Sequence, residues 1–182
     1  NSRSKETLVR SVVWYLDNFW EDKAITVILP NGKPAVEMHF KLPFMNYSGQ
    51  EVFICGHIDR LAQWQGKVYV SDFKTSKYQL DNRFFSQFKP NTQLPLYLTA
   101  CHIIAESIQD FPSAHGVIID GIQLGVNFTR CARHVIEFSL EEINEYIIDL
   151  QYWIKQAMDA CKENYFPQNS ESCQKYSGCH FL

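Results

Sequence analysis

Residues 52–74 read VFICGHIDRLAQWQGKVYVSDFK, and the fold turns on how this stretch is paired. Val52 to Ile58 is mostly apolar and β-prone, as is Val68 to Phe73. Gln65-Gly66 lies midway between them and suits a two-residue hairpin turn. Strands paired about that turn bring Asp59 opposite Asp72, with Cβ atoms about 5 Å apart. Carboxylates that close repel each other unless a cation lies between them. Asp72 and Lys74 are two residues apart on one strand, so they project from the same face. One sheet face then carries two acids and an amine, an arrangement poor for packing and suited to a divalent cation beside a phosphate.

Hydrolysis of a phosphodiester with a metal needs oxygen ligands that leave positions open for water and phosphate. Asp59 and Asp72 offer two such ligands, and the carbonyl of Phe73 offers a third. The Lys74 ammonium, near the attacking water or a non-bridging oxygen, would add electrostatic stabilisation. The hairpin alone leaves a second reading open, an Asp–Lys pair on an ordinary exposed surface.

Working outward, the 182 residues suit one domain with a real core. A hydrophobic fraction of 46% with 14% aromatics indicates a folded globule rather than a disordered chain. The net charge of −3 argues against a generally basic nucleic-acid coat. Arg60, Lys67, Lys74, Lys77, Arg83 and Lys89 nevertheless make the window around the acidic pair locally basic. No apolar run approaches the ~20 residues of a membrane helix, and no signal-peptide core opens the chain, so a cytoplasmic protein without a membrane partner is expected. The start at Asn-Ser-Arg rather than Met reads as a processed product or an excised domain. The six cysteines fall largely in apolar or helical contexts and form no disulfide framework.

Lys5 to Trp20 places Leu8, Val9, Val12, Val13, Leu16, Phe19 and Trp20 on one helical stripe. Ala24 to Leu29 reads as a strand, with Pro30-Asn31-Gly32-Lys33 as its turn. Ala35 to Leu42 is a second strand, and Tyr47 to Gln50 a loop before the acid-bearing hairpin. Lys77 to Asn91 reads as a partly irregular crossing segment. Thr92 is the expected cap of a helix from Gln93 to about Ser107, with Pro95 in its first turn. Gly116 to Ile122 and Phe128 to Phe138 are two further strands. Ser139 and Glu142 form a capping box for a last helix, whose stripe is Ile143, Tyr146, Ile147, Leu150, Trp153, Ile154 and Ala157. This order implies an α/β (α+β) mixed sheet flanked by helices.

The series G-x-x-D (Gly56, Asp59), D-F-K-T (Asp72 to Thr75) and Q-L-P-L-Y (Gln93 to Tyr97) resembles the RecB-like exonuclease branch of the PD-(D/E)XK nuclease superfamily. The resemblance covers roughly residues 35 to 180. It implies a restriction-endonuclease-like αβββαβ core, dependence on Mg²⁺ or Mn²⁺, and a DNA substrate. It makes Asp59, Asp72, Lys74 and Gln93 catalytic, with Asp59, Asp72 and Phe73 around the metal. Glu37 would be a further ligand or a water-positioning base, since members often carry an acid on the strand before G-x-x-D. Gln93 and Tyr97, four apart, share a helical face, so Gln93 would position the lysine or a phosphate while Tyr97 touches the nucleic-acid backbone. Arg60, Thr75 and Lys77 are the other candidate nucleic-acid contacts. His57 shares the strand parity of Asp59 and reads more naturally as a structural histidine.

Some relatives anchor an iron–sulfur cluster with four cysteines, three of them in the tail. Cys173 and Cys179 are too few for this, so no cluster is expected in this chain, and a zinc site with His180 would lack a fourth ligand. The whole chain then reads as a single nuclease domain: an N-terminal helix (1–22), the sheet and catalytic core (23–138), a closing helix (139–165) and a Cys-bearing tail (166–182). The implied activity is metal-dependent hydrolysis of DNA in repair, recombination or phage DNA processing, exonuclease rather than endonuclease, in a bacterial or phage-infected cell and alongside a helicase or recombination partner. The alternative is a catalytically silent nuclease fold serving DNA binding or assembly, against which the intact Asp59, Asp72 and Lys74 argue.

Overall fold

The computed structural model of the chain describes residues 4–167. Its first helix, α1, spans Lys5–Asn18, and Ser4 caps it by accepting a 3.2 Å hydrogen bond from the Thr7 amide. The apolar stripe does not face the sheet: Leu8, Val9, Val12, Val13, Leu16 and Trp20 are all exposed. The inward row is instead Thr7, Ser11, Tyr15 and Phe19, spaced by four. Thr7 and Ser11 are buried, and Thr129 Oγ1 donates to Ser11 Oγ at 2.9 Å. Small hydroxyls let this helix approach the sheet closely, and Tyr15 then meets the Phe73 ring edge-on at 5.9 Å. Periodicity identified the helix but not its buried side.

Six strands make one mixed sheet: β1 (Ile25–Thr26), β2 (Val36–Tyr47), β3 (Gln50–Trp64), β4 (Lys67–Ser76), β5 (Gly116–Leu124) and β6 (Thr129–Glu137). The order is β1-β3-β4-β5-β6, with β2 also pairing β3. The expected strand from Ala24 to Leu29 shrinks to two residues of β1 and an isolated bridge from Ile28 to Pro34. The expected loop at Tyr47 to Gln50 tightens to a turn at Ser48-Gly49, so β2 and β3 form a long hairpin. Gln65-Gly66 is the turn between β3 and β4, with φ of 50° and 78°. Left-handed φ at both central residues matches the twist of the flanking strands.

Two helices, α2 (Asn82–Ser86) and α3 (Gln93–Ser107), cross from β4 to the parallel β5. The cap of α3 is Asn91, not Thr92: Asn91 Oδ1 accepts from the amides of Gln93 (2.8 Å) and Leu94 (3.1 Å), while Thr92 makes no capping bond. Ala24, Ala62, Tyr69 and Ile118 form a cluster on one sheet face. Strand alternation puts the fully buried Leu61, Val70, Val117 and Ile119 on the other, beneath α3.

The last helix, α4 (Leu140–Glu163), begins with the expected capping box: Glu142 N donates to Ser139 Oγ at 3.2 Å, and Ser139 N to Glu142 Oε2 at 2.8 Å. Ile143 is buried as expected, whereas Trp153 is exposed. The chain divides into two compact units, Asn1–Ile147 and Ile148–Leu182. Cys173, Cys179 and His180 lie outside the described residues. Among those described, no helix is long and apolar enough to cross a membrane.

Candidate active site

The β3–β4 ladder ends at the Arg60–Ser71 pair, beyond which Asp59 and Asp72 follow on their strands, near enough for the Asp59 charge to act on Asp72. Asp59 Oδ2 accepts a 3.3 Å hydrogen bond from the amide of Phe73, which ties this acid to the neighbouring strand. Asp72 is 3% exposed, and the Lys74 ammonium lies 2.8 Å from its Oδ2. The same ammonium donates to Gln93 Oε1 at 3.1 Å, and Gln93 Nε2 donates to the Tyr97 hydroxyl at 2.8 Å. A continuous polar chain therefore runs Asp72–Lys74–Gln93–Tyr97, from the middle of the sheet to the first turns of α3. The Q-x-x-x-Y spacing places both side chains on one face of that helix.

Gly56 acts through packing. A Cβ there would come within 2.8 Å of the Phe40 ring, and Phe40 meets Tyr97 edge-on at 6.5 Å. Any side chain at Gly56 would displace Phe40, which packs against the tyrosine that ends the polar chain.

Burial raises the pKa of Asp72 above the ordinary carboxylate range. The Lys74 contact opposes this rise and the nearby Asp59 charge adds to it. Burial also raises Tyr97, with the Gln93 bond opposing. These shifts bear on what the acids can hold. The buried Asp72 Oδ2 is met by the Lys74 ammonium at 2.8 Å and by no other hydrogen-bond donor. Two neighbouring carboxylates are hard oxygen donors, the kind that Mg²⁺ or Mn²⁺ takes. Among the described residues no three His, Cys, Asp or Glu side chains gather as a metal cage. The donor set fits an ion that keeps several positions for water and substrate.

The remaining sequence candidates separate. The Phe73 amide serves Asp59, while its ring faces the opposite side, against Tyr15 and beneath the Arg60 guanidinium at 5.9 Å. Arg60 is on that opposite side too, 3.7 Å from Asp22 and with only 15% of its side chain exposed. The cause is alternation, since neighbouring residues on a strand point to opposite faces. Glu37 is exposed with φ of 49°, on β2, and makes no third ligand with Asp59 and Asp72. Thr75 and Lys77 are exposed just past Lys74, with the Lys77 ammonium 4.9 Å from the Tyr78 ring. His57 is exposed and stands against His39, ring centroids 3.7 Å apart.

Sequence reasoning missed the charged cluster behind the site. Arg133 bonds Asp120 at 2.6 and 2.9 Å and Asp22 at 2.7 and 2.9 Å, with Asp120 wholly buried. Burial raises Asp22, but the Arg133 bonds outweigh it and leave this acid below its usual range. Asp120 is beside Phe73 in the β4–β5 ladder, so the cluster braces the strand that carries Asp72 and Lys74. Asp120 faces Arg133 across the β5–β6 ladder, but Asp22 is 111 positions away, and no local pattern marks the three together.

A comparison with curated proteins finds no match. The solved structure of SSO0001 is similar at 18% identity with a TM-score of 0.44, over 92% of this chain and 63% of that one. This chain thus spans less than two thirds of that protein. The sequence model of the PD-(D/E)XK nuclease superfamily matches residues 7–181. That match takes in the sheet, the Asp72–Lys74 pair and the helix bearing Gln93 and Tyr97, so the chain belongs to the PD-(D/E)XK nuclease superfamily.

Proposed function

We propose that this protein is a metal-dependent deoxyribonuclease that hydrolyses phosphodiester bonds in the manner of RecB-like exonucleases, in DNA repair, recombination or phage DNA processing. The observation that carries the reading is the polar chain from Asp72 through Lys74 and Gln93 to Tyr97, with Asp59 across the ladder. Asp59 and Asp72 are the residues that would hold the ion. Bound there, Mg²⁺ or Mn²⁺ supplies Lewis acidity toward the phosphate and a nucleophilic water at neutral pH.

The chain's own residues supply the rest. Lys74 has a fixed ammonium beside the acids, placed to offset negative charge that grows on the phosphate during attack. Gln93 holds that ammonium in place, and its own amide is held by Tyr97, so Lys74 reacts without reorganising. Asp59 is kept in register by the Phe73 amide. The Asp72 carboxylate, costly to bury as a free anion, gains most from a cation.

The test is incubation of the purified protein with linear and circular, single- and double-stranded DNA in Mg²⁺, Mn²⁺ or EDTA. Cleavage of linear DNA that requires a divalent ion is expected. Binding of DNA without cleavage under every metal would instead favour a silent nuclease fold.

A further inference from the structure

Next to Lys74 lies a cavity of about 930 Å³ whose other lining residues the catalytic reading leaves unused. Lys74 is part of its wall, followed along the chain by Thr75 and Tyr78, and α2 contributes Arg83 and Phe84. The sequence builds this hollow in two steps. Gly121 pairs with Lys74 in the β4–β5 ladder, and a Cβ there would come within 3.1 Å of both Leu80 and Phe84. A glycine at that position lets the segment carrying α2 lie close on the sheet. Asp81 then caps α2 by accepting from the Phe84 amide at 3.0 Å, which sets the start of the short helix whose Arg83 and Phe84 line the cavity.

The lining suits a nucleotide. Tyr78 is 70% exposed, with the Lys77 ammonium over one face of its ring at 4.9 Å, so the opposite face is the one offered to a ligand. Phe84 is held by the Phe88 ring at 5.4 Å and is pre-ordered. Arg83 supplies a cation, next to a Lys74 ammonium already held by Asp72 and Gln93. Among the described residues Arg83 has no ion-pair partner, whereas the one acid in the wall, Asp81, is engaged by the Phe84 amide. Aromatic faces and cations at the edge of a phosphate-cleaving site are what an unpaired nucleotide needs, for stacking and for its phosphate. The volume lies in the range of single-ligand pockets, which suits one splayed nucleotide rather than paired duplex.

We propose that this cavity binds the unpaired nucleotide at a strand end next to the scissile phosphate, with its base against Tyr78 and Phe84 and its phosphate toward Arg83. The site thereby selects single-stranded ends and overhangs over continuous duplex. The proposal rests on the nuclease reading for its position but not for its binding.

The experiment is fluorescence anisotropy in EDTA, where no ion supports cleavage, with a short labelled single strand, the matching blunt duplex, and the single strand carrying an abasic residue at either end. Loss of one base–aromatic stack corresponds to roughly 5- to 150-fold in affinity. Tyr78→Ala is expected to bind the single strand about 10-fold more weakly, within that range, and the blunt duplex almost unchanged. An abasic residue at one of the two ends should remove the Tyr78 effect. Arg83→Ala should weaken the single strand with or without the terminal base. Both variants change exposed side chains, so folding is preserved. Equal weakening of single strand and duplex by Tyr78→Ala, or no weakening, would overturn the proposal. If Tyr78-dependent binding holds but no metal supports cleavage, the pocket stands and the nuclease reading fails. If cleavage is robust and single-strand binding ignores Tyr78, the nuclease reading stands and the pocket fails.

Discussion

The Lys74 ammonium lies 2.8 Å from Asp72 Oδ2, two residues back along β4, so one strand presents a carboxylate and its counter-charge on one face. The pair is unequal in burial: the Asp72 side chain is 4% exposed and that of Lys74 28%. The acid belongs to the sheet, and the amine reaches toward the cleft and Gln93. This inequality shapes the first two predictions.

Asp72→Asn should lose at least ~10²-fold in cleavage rate, the scale seen when one electrostatic contact to a transition state is removed. The metal-free variant should also be more stable than the unaltered protein at neutral pH. Folding holds the Asp72 proton to a higher pH than the usual 3.8, so the folded state binds more protons in the window just above that value. Stability of the metal-free protein therefore falls as pH rises through this window, and the asparagine variant is spared that fall. Thermal unfolding in EDTA between about pH 4 and pH 7 checks the sign. A variant that is less stable at neutral pH would contradict it.

Gln93→Ala should reduce kcat by less than the ~10²-fold expected for Lys74→Ala, because Gln93 acts through the lysine. Gln93→Glu, which keeps an oxygen acceptor for the Lys74 ammonium, should recover part of the loss. Steady-state kinetics on one DNA substrate decides the order, and a Gln93→Ala enzyme slower than Lys74→Ala would refute it.

Arg133→Met should cost about 3–5 kcal/mol in urea unfolding, since it strands the buried Asp120 carboxylate. Pairing it with Asp120→Ala should cost less than the sum of the two single changes, because the stranded charge is gone. Strict additivity would mean that Arg133 and Asp120 do not depend on each other as their 2.6 Å contact indicates.

Cys101 should resist alkylation in the folded protein while Cys55 and Cys161 react. Burial pushes the Cys101 thiol up to about 12, so it holds its proton and lacks the thiolate that attacks. Cys55 and Cys161 are exposed. Peptide mapping after iodoacetamide treatment near pH 8, with and without denaturant, should show Cys101 modified only in the denatured sample.

The hairpin was legible because its information is local. Gln65-Gly66 supports the left-handed turn, the ladder it sets runs to Arg60 and Ser71, next to Asp59 and Asp72, and a period of two puts Lys74 on the same face as Asp72. The capping box at Ser139 and Glu142 was legible for the same reason, since its partners are three residues apart. The cap of α3 was local as well but ambiguous: Asn91 and Thr92 are both capping residues, and only the backbone entering the helix chose Asn91.

Tertiary structure decided what depends on distant partners. The stripe on α1 named a helix correctly, yet the row that packs is Thr7, Ser11, Tyr15 and Phe19, because Thr129 and Phe73 are what that helix meets. Arg60 stands one residue from Asp59, and only the packed sheet shows it turned away, toward Asp22. Arg133 and Asp22 are 111 positions apart, and no periodicity links them. The cavity beside Lys74 depends on Gly121 admitting Leu80 and Phe84 from another segment. By itself the sequence determined the turns, the strand parity and the chemistry offered on each face. Which faces became buried was settled by contacts between segments, because burial is a property of the pair that meets and not of either strand or helix alone.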